Sequence, residues 1–125
     1  MKGWLVSMFL FASFYSSADV FDDLIKNLKE QNITAVSKLV NSNVELNLDG
    51  VDGMYSKSQA DVILRNFFNA NTPKSIVVQH RGSSAQGAKY IIAEMKTDKN
   101  NYRMYVFLKT NGTQNQLQEL RIEKE

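Results

Sequence analysis

The sequence predicts an α+β domain in which N-terminal helices pack on one face of a curved antiparallel sheet. Three observations carry that expectation. Helically spaced apolar stripes are confined to the part of the chain before Pro73, and everything after it reads as strand. Strand alternation in the second half leaves one sheet face wholly apolar, and such a face requires a covering layer. The loops between those strands are short and rich in Gly, Asn and Asp, which favours an antiparallel meander.

Before the domain comes an address. Lys2 precedes an apolar run from Trp4 to Phe14, broken by Ser7 and Ser13, and Ser16-Ser17-Ala18 follows. A basic start, a short apolar stretch and small residues at the −3 and −1 positions form the pattern of a secretory signal peptide. A membrane-spanning helix needs ~20 apolar residues, about twice this run. The expected organisation is therefore a signal peptide over 1–18 and a single α+β domain over 19–125, exported to the periplasm or beyond. Cleavage removes Lys2 and takes the net charge from +2 to +1. That balance is too even for nucleic-acid binding by charge. The chain has no cysteine, which excludes disulfides, thiolate metal sites, a cysteine nucleophile and a lipid-bearing cysteine. No stable membrane insertion is expected once the leader is gone.

Within the domain, Asp19 is placed to cap a first helix, with Val20, Phe21, Leu24, Ile25 and Leu28 on one face. Asn32 caps a short second helix carrying Ile33, Val36, Leu39 and Val40. Val44, Leu46 and Leu48 alternate with Asn43, Glu45 and Asn47 as in a half-buried strand. Asp49-Gly50 and Asp52-Gly53 read as turns around a short extended segment. Ser56 followed by Gln59 is a capping box, and Ala60, Ile63, Leu64, Phe67 and Phe68 line the helix it opens. Asn69, Asn71 and Pro73 end that helix. Strands follow over Ser75–Arg81, Ala88–Thr97, Tyr102–Thr110 and Gln116–Glu123.

A four-residue turn at Asp98–Asn101 sets Met95 opposite Met104, Ala93 opposite Val106 and Ile91 opposite Leu108. Parity then adds Ile76, Val78, His80, Leu120 and Ile122 to the inner face. The outer face receives Tyr90, Ile92, Glu94, Arg103, Tyr105, Phe107, Leu117, Glu119 and Arg121, with Glu94, Tyr105 and Arg121 in one row.

This order of elements resembles the nuclear-transport-factor-2-like cone, also described as ketosteroid-isomerase-like or cystatin-like. More closely, the chain is similar to an uncharacterised family of small secreted bacterial proteins with that predicted fold. The similarity rests on Val51-Asp52-Gly53-Met54-Tyr55-Ser56-Lys57-Ser58-Gln59-Ala60, His80-Arg81-Gly82-Ser83-Ser84, Tyr102-Arg103-Met104-Tyr105 and the C-terminal Gln118–Glu125. The resemblance implies the fold and an envelope location, and no activity.

The chemistry available is sparse. His80 is the sole histidine, so hydrolytic triads and multi-histidine metal sites lack partners. Parity places it near the mouth of the cone, with Tyr55 and Tyr102 as companions. There it reads as a general base or ligand hydrogen-bonder, or more plainly as a rim histidine. The predicted core carries no Asp or Glu for ketosteroid-isomerase-type enolisation, and no aspartate faces His80 as in dehydratase-type relatives. Asp49-Gly50-Val51-Asp52-Gly53 lacks the alternating acids and distant glutamate of a calcium loop. No metal or other cofactor is expected. Tyr90, Glu94, Arg103, Tyr105, Phe107 and Arg121 form a candidate interface face, because aromatics with arginine are the usual interface anchors. The expected function is a non-catalytic module that holds a small ligand or peptide in the cone, or dimerises through the outer face. The alternative is a small pocket enzyme of isomerase or dehydratase type using His80.

Overall fold

A computed structural model of the chain describes residues 20–125, so the expected leader and the capping Asp19 lie outside the described residues. Helix α1 (Val20–Lys29) buries Phe21, Leu24 and Leu28, one stripe at helical spacing. Asp22 and Asp23 in its first turn and Lys26 and Lys29 in its last complement the helix dipole. Helix α2 (Ile33–Ser37) starts where the Asn32 side chain accepts the Ala35 N–H at 3.4 Å. The two extended segments that follow are β1 (Asn43–Leu48) and β2 (Val51–Ser56), paired antiparallel. Their link is the two-residue Asp49-Gly50 loop, with φ of 20° and 98°, the positive pair a tight hairpin turn demands. Asp52-Gly53, expected as a second turn, lies inside β2 instead.

Helix α3 (Lys57–Ala70) opens on the full capping box. The Gln59 N–H donates to Ser56 Oγ at 3.3 Å, and the Ser56 N–H donates to Gln59 Oε1 at 3.0 Å. At its other end the Asn71 side chain donates to the Phe67 carbonyl at 3.0 Å, and Gln31 Nε2 donates to the Phe68 carbonyl at 2.7 Å. The Phe67 carbonyl also accepts the Asn71 N–H at 2.9 Å, and the bond from Gln31 covers a last-turn carbonyl and ties the end of α1 to the end of α3. Four strands complete the chain: β3 (Ser75–Ser83), β4 (Ala88–Lys96), β5 (Asn101–Asn111) and β6 (Gln114–Lys124).

These strands form one six-stranded sheet in the order β2-β1-β6-β5-β4-β3. The sheet is mixed, whereas the sequence reading expected it to be antiparallel throughout. The meander β3-β4-β5-β6 returns beside β1, and β1 pairs with β6 in parallel from Glu45↔Glu119 to Leu48↔Ile122. Leu117 N–H donates to the Leu39 carbonyl at 2.7 Å, extending that join to the segment after α2. All three helices contribute to one buried cluster with the inner face of the sheet. Leu28, Leu64 and Phe68 meet Leu46, Leu48, Met95, Met104 and Leu108 there, all fully buried.

Register departs from the sequence reading in two ways. The β4–β5 turn comprises residues 97–100, so Met95 faces Tyr102 and Ala93 faces Met104. A two-residue slip leaves every side chain on its expected face and changes only its row partner. The second departure does change faces. Two β-bulges each insert one residue. At Gln79 the pairing passes from Val78↔Ala93 directly to His80↔Ile92. At Gln118 it passes from Phe107↔Glu119 to Leu108↔Leu117. His80, expected inside, is therefore turned out beside Ile92 and is exposed. Leu117, expected outside, is turned in and fully buried. Both bulges also bend the strands that carry them, which curves the sheet around the helices.

The inward turn of Leu117 is open to a stability measurement. Leu117→Ala is expected to cost about 2–5 kcal/mol in urea unfolding, and His80→Ala to stay within about 0.5 kcal/mol. Equal small effects at both positions would contradict the bulged register.

Candidate interaction face

The sheet surface away from the helices is organised in cross-strand rows. One row runs Met54, Glu45, Glu119, Phe107, Tyr90, Gly82 across all six strands. The next runs Asp52, Asn47, Arg121, Tyr105, Ile92, His80, and a third holds Glu123, Arg103, Glu94 and Val77. All six residues of the expected interface share this surface, although Glu94 sits opposite Arg103 and not in the Tyr105–Arg121 row. The Tyr90 ring occupies the space that Gly82 leaves open, since a Cβ there would lie 2.1 Å from the ring. The tyrosine thus lies flat over the strand, and its ring centroid is 6.0 Å from that of Tyr105.

Charge on this surface is arranged around Arg121. Its Nη2 donates to Glu119 Oε2 at 2.7 Å, and this pairing raises the guanidinium pKa further. Arg121 Nε is buried without a hydrogen-bond partner among the described residues. Beside it a hollow of about 200 Å³ is walled by Ile92, Arg103, Tyr105 and Glu123. Partial burial raises the Tyr105 phenol pKa above 10.0; the Glu119 carboxylate adds to the rise and Arg121 opposes it.

The expected pocket-mouth residues do not converge. His80 is on the outer face of edge strand β3, put there by the bulge at Gln79. Tyr55 is half-buried against the core on β2, at the opposite edge of the six-stranded sheet. Tyr102 is buried on the inner face, where its hydroxyl donates to Asn71 Oδ1 at 2.8 Å and its ring meets Phe67 edge-on. Tyr102 is thus a core residue that holds the end of α3. Among the described residues no three His, Asp or Glu side chains cluster as metal ligands, and no helix is long and apolar enough to cross a membrane.

One polar constellation escaped the sequence reading. Arg65 donates to both oxygens of Asp61, at 2.7 and 3.2 Å, and to Thr34 Oγ1 at 2.8 Å. Asp61 also accepts the hydroxyl of Ser37 at 2.7 Å, and Ser37 is only 6% exposed. The Asp61–Arg65 spacing on one helix was visible, but nothing local to either residue points to α2. Hydrogen bonds from Arg65 and then Ser37 hold the Asp61 carboxyl below its usual pKa of 3.8.

Helices seated in the curve of a mixed sheet, with a patterned surface on its far side, define a nuclear-transport-factor-2-like cone of the α+β class. A designed nuclear-transport-factor-2-type protein shares that fold, with a TM-score of 0.68 at 10% identity over 85% of this chain and 98% of its own. The profile of the domain of unknown function DUF4783 matches residues 21–123, and the chain belongs to that family. It is similar to a DUF4783 protein of Bacteroides ovatus, with 25% identity and a TM-score of 0.74 over 82% of this chain and 92% of that one. A DUF4783 protein of Bacteroides uniformis gives 22% identity and a TM-score of 0.78 over 86% and 98% of the two chains. Among curated proteins, none matches this chain.

The lowered Asp61 pKa sets a pH dependence. A carboxylate favoured in the folded state contributes stability above its unfolded pKa, and that contribution is lost as pH falls through the folded pKa. The window therefore opens near 3.8 and extends below it. Asp61→Asn is expected to lower stability at neutral pH and to flatten the acid limb of the unfolding profile below that value. A parallel acid limb in the variant would refute the assignment.

Proposed function

We propose that this protein is an exported, non-catalytic interaction module whose outer sheet face docks a second copy of the same chain. The observation that carries the reading is where apolar surface remains uncovered. Of the four large hydrophobic residues exposed among the described residues, Met54 at 63%, Val77 at 58% and Tyr90 at 36% all lie on this face. They surround Tyr105, Phe107, Arg103 and Arg121, the residue types that anchor interfaces.

A second copy is the favoured occupant for two reasons. The face carries both signs of charge, with Glu45, Glu94, Glu119 and Glu123 interleaved with Arg103 and Arg121. An isologous interface can use that mixture, since Arg103 and Arg121 of one copy can meet carboxylates on the identical surface of the other. Size is also sufficient. Six strands of 6 to 11 residues, at ~3.3 Å per residue and ~4.8 Å per strand, give a face of roughly 800 Å² in projection, the order of what each partner of a stable interface supplies. The inner face offers less, being occupied by side chains such as Leu64, Met95 and Met104. An isomerase or dehydratase built on His80 would need Tyr55 or Tyr102 within hydrogen-bond reach, and these three side chains are dispersed.

Two measurements test the reading. Sedimentation of the purified chain at high concentration should give a dimer, and Tyr105→Glu or Phe107→Glu should yield a folded monomer by circular dichroism. A wild-type monomer throughout would defeat the docking proposal. Export is tested by fractionating expressing cells and sequencing the mature N-terminus, which should begin at Asp19; recovery of unprocessed cytoplasmic chain would defeat that part.

A further inference from the structure

A cleft of about 660 Å³ lies between α2 and the first turn of α3, on the helical side of the molecule and remote from the outer sheet face. Its volume falls within the ~300–1,000 Å³ of small-molecule sites. Charge accounting inside it is unbalanced. Asp61 is the single carboxylate in the lining, against Lys38, Lys57 and Arg65. Both Asp61 oxygens are already taken by Arg65, and one of them also by the Ser37 hydroxyl. Asp61 and Arg65 thus neutralise one another. Lys38 and Lys57 have no ion-pair partner among the described residues.

The two lysines belong to one place. Lys57 N–H donates to the Ser42 carbonyl at 3.1 Å, which draws the start of α3 against the segment after α2. Both lysines also line an adjoining hollow of about 270 Å³ beside Gln114 and Gln116. Ser42 and Ser58 add hydroxyls to the same lining. The opposite wall is already ordered: Ser37 spends its proton on Asp61, and Thr34 accepts from Arg65 while its own proton remains to give.

We propose that this cleft binds a phosphate monoester, with the phosphoryl group between Lys38 and Lys57 and the Ser42 and Ser58 hydroxyls, and the organic part against Thr34 and Ser37. A monoester carries about −1.5 to −2 charges at neutral pH, which matches two unpaired lysines better than a single carboxylate does. The cleft volume leaves room for a hydroxylated organic group beside the phosphoryl. A soluble ester and a phosphatidic acid headgroup share this chemistry.

The test is an amide NMR titration of the purified chain with glycerol 3-phosphate, beside co-sedimentation with vesicles of phosphatidic acid or of phosphatidylcholine alone. Saturable shifts confined to residues 34–42 and 56–65 are expected, and the Lys38→Gln, Lys57→Gln double variant should bind at least about tenfold more weakly. Both lysines are exposed, so the variant should retain the wild-type spectrum away from the cleft. Shifts with the soluble ester assign a free ligand. Binding to phosphatidic acid vesicles alone, lost in the double variant, assigns a headgroup. Absence of both responses, or a double variant that binds as wild type does, overturns the proposal. The outer-face variants leave this result untouched, so the two readings fail separately.

Discussion

Everything in this fold depends on which way each strand residue points, and two inserted residues decide that. Strict alternation along β3 and β6 would put His80 among the core side chains and Leu117 in water. The bulges at Gln79 and Gln118 reverse the alternation part-way along each strand. Leu117 thereby joins Leu108 and Leu120 under the helices, and the outer face keeps Glu119 and Arg121 on one row each. The bends that accompany the bulges give the sheet a hollow in which α1 and α3 sit. Core, curvature and the make-up of the outer face all follow from these two bulges.

Polar groups divide by the same logic. On the inner side, polar atoms close off helix ends: Asn71 receives the Tyr102 hydroxyl, and Gln31 covers the Phe68 carbonyl. Each satisfies a group that would be costly to bury bare. On the outer side, polar groups stay half-wet and interleave with aromatic rings, and Arg121 retains one unpartnered buried donor. Between α2 and α3 the Thr34–Arg65–Asp61–Ser37 chain links two helices through side chains alone. These three polar settings correspond to structure, docking and ligand capture in the readings proposed above.

Much of this was legible in the sequence, for reasons that can be named. The capping box at Ser56 and Gln59 is a local signal and is found as written. The apolar stripes of α1 and α3, and the alternation of β1, report burial directly. Five of the six residues of the outer face lie on β4 and β5, which carry no bulge between their paired residues, so parity alone places them; Arg121 lies on β6 beyond the bulge, level with Tyr105. The bulges were less accessible. At Gln118 a trace exists, since Leu117 and Leu120 are three apart where an unbroken inner face would show two or four. At Gln79 there is none, because the residue that turns inward after Val78 is Arg81, which pairs opposite Ile91 and reaches Asp22 of α1 at 3.1 Å. The Lys38–Lys57 cleft could not be read at all, since it is assembled from two helix boundaries whose approach only the fold determines.

The parallel join of β1 to β6 carries a consequence for the order in which the molecule comes into being. Helices α1 and α2, the β1–β2 hairpin and α3 are synthesised first, yet β1 has no partner on its inner side until residues 114–124 have emerged. Loop closure over that separation is slow compared with local pairing. Until the last strand is available, β1 lacks one of its two neighbours and the six-stranded sheet cannot be completed. For the export proposed above, an architecture whose keystone is laid last would suit a polypeptide that is threaded through a narrow channel before it acquires its shape.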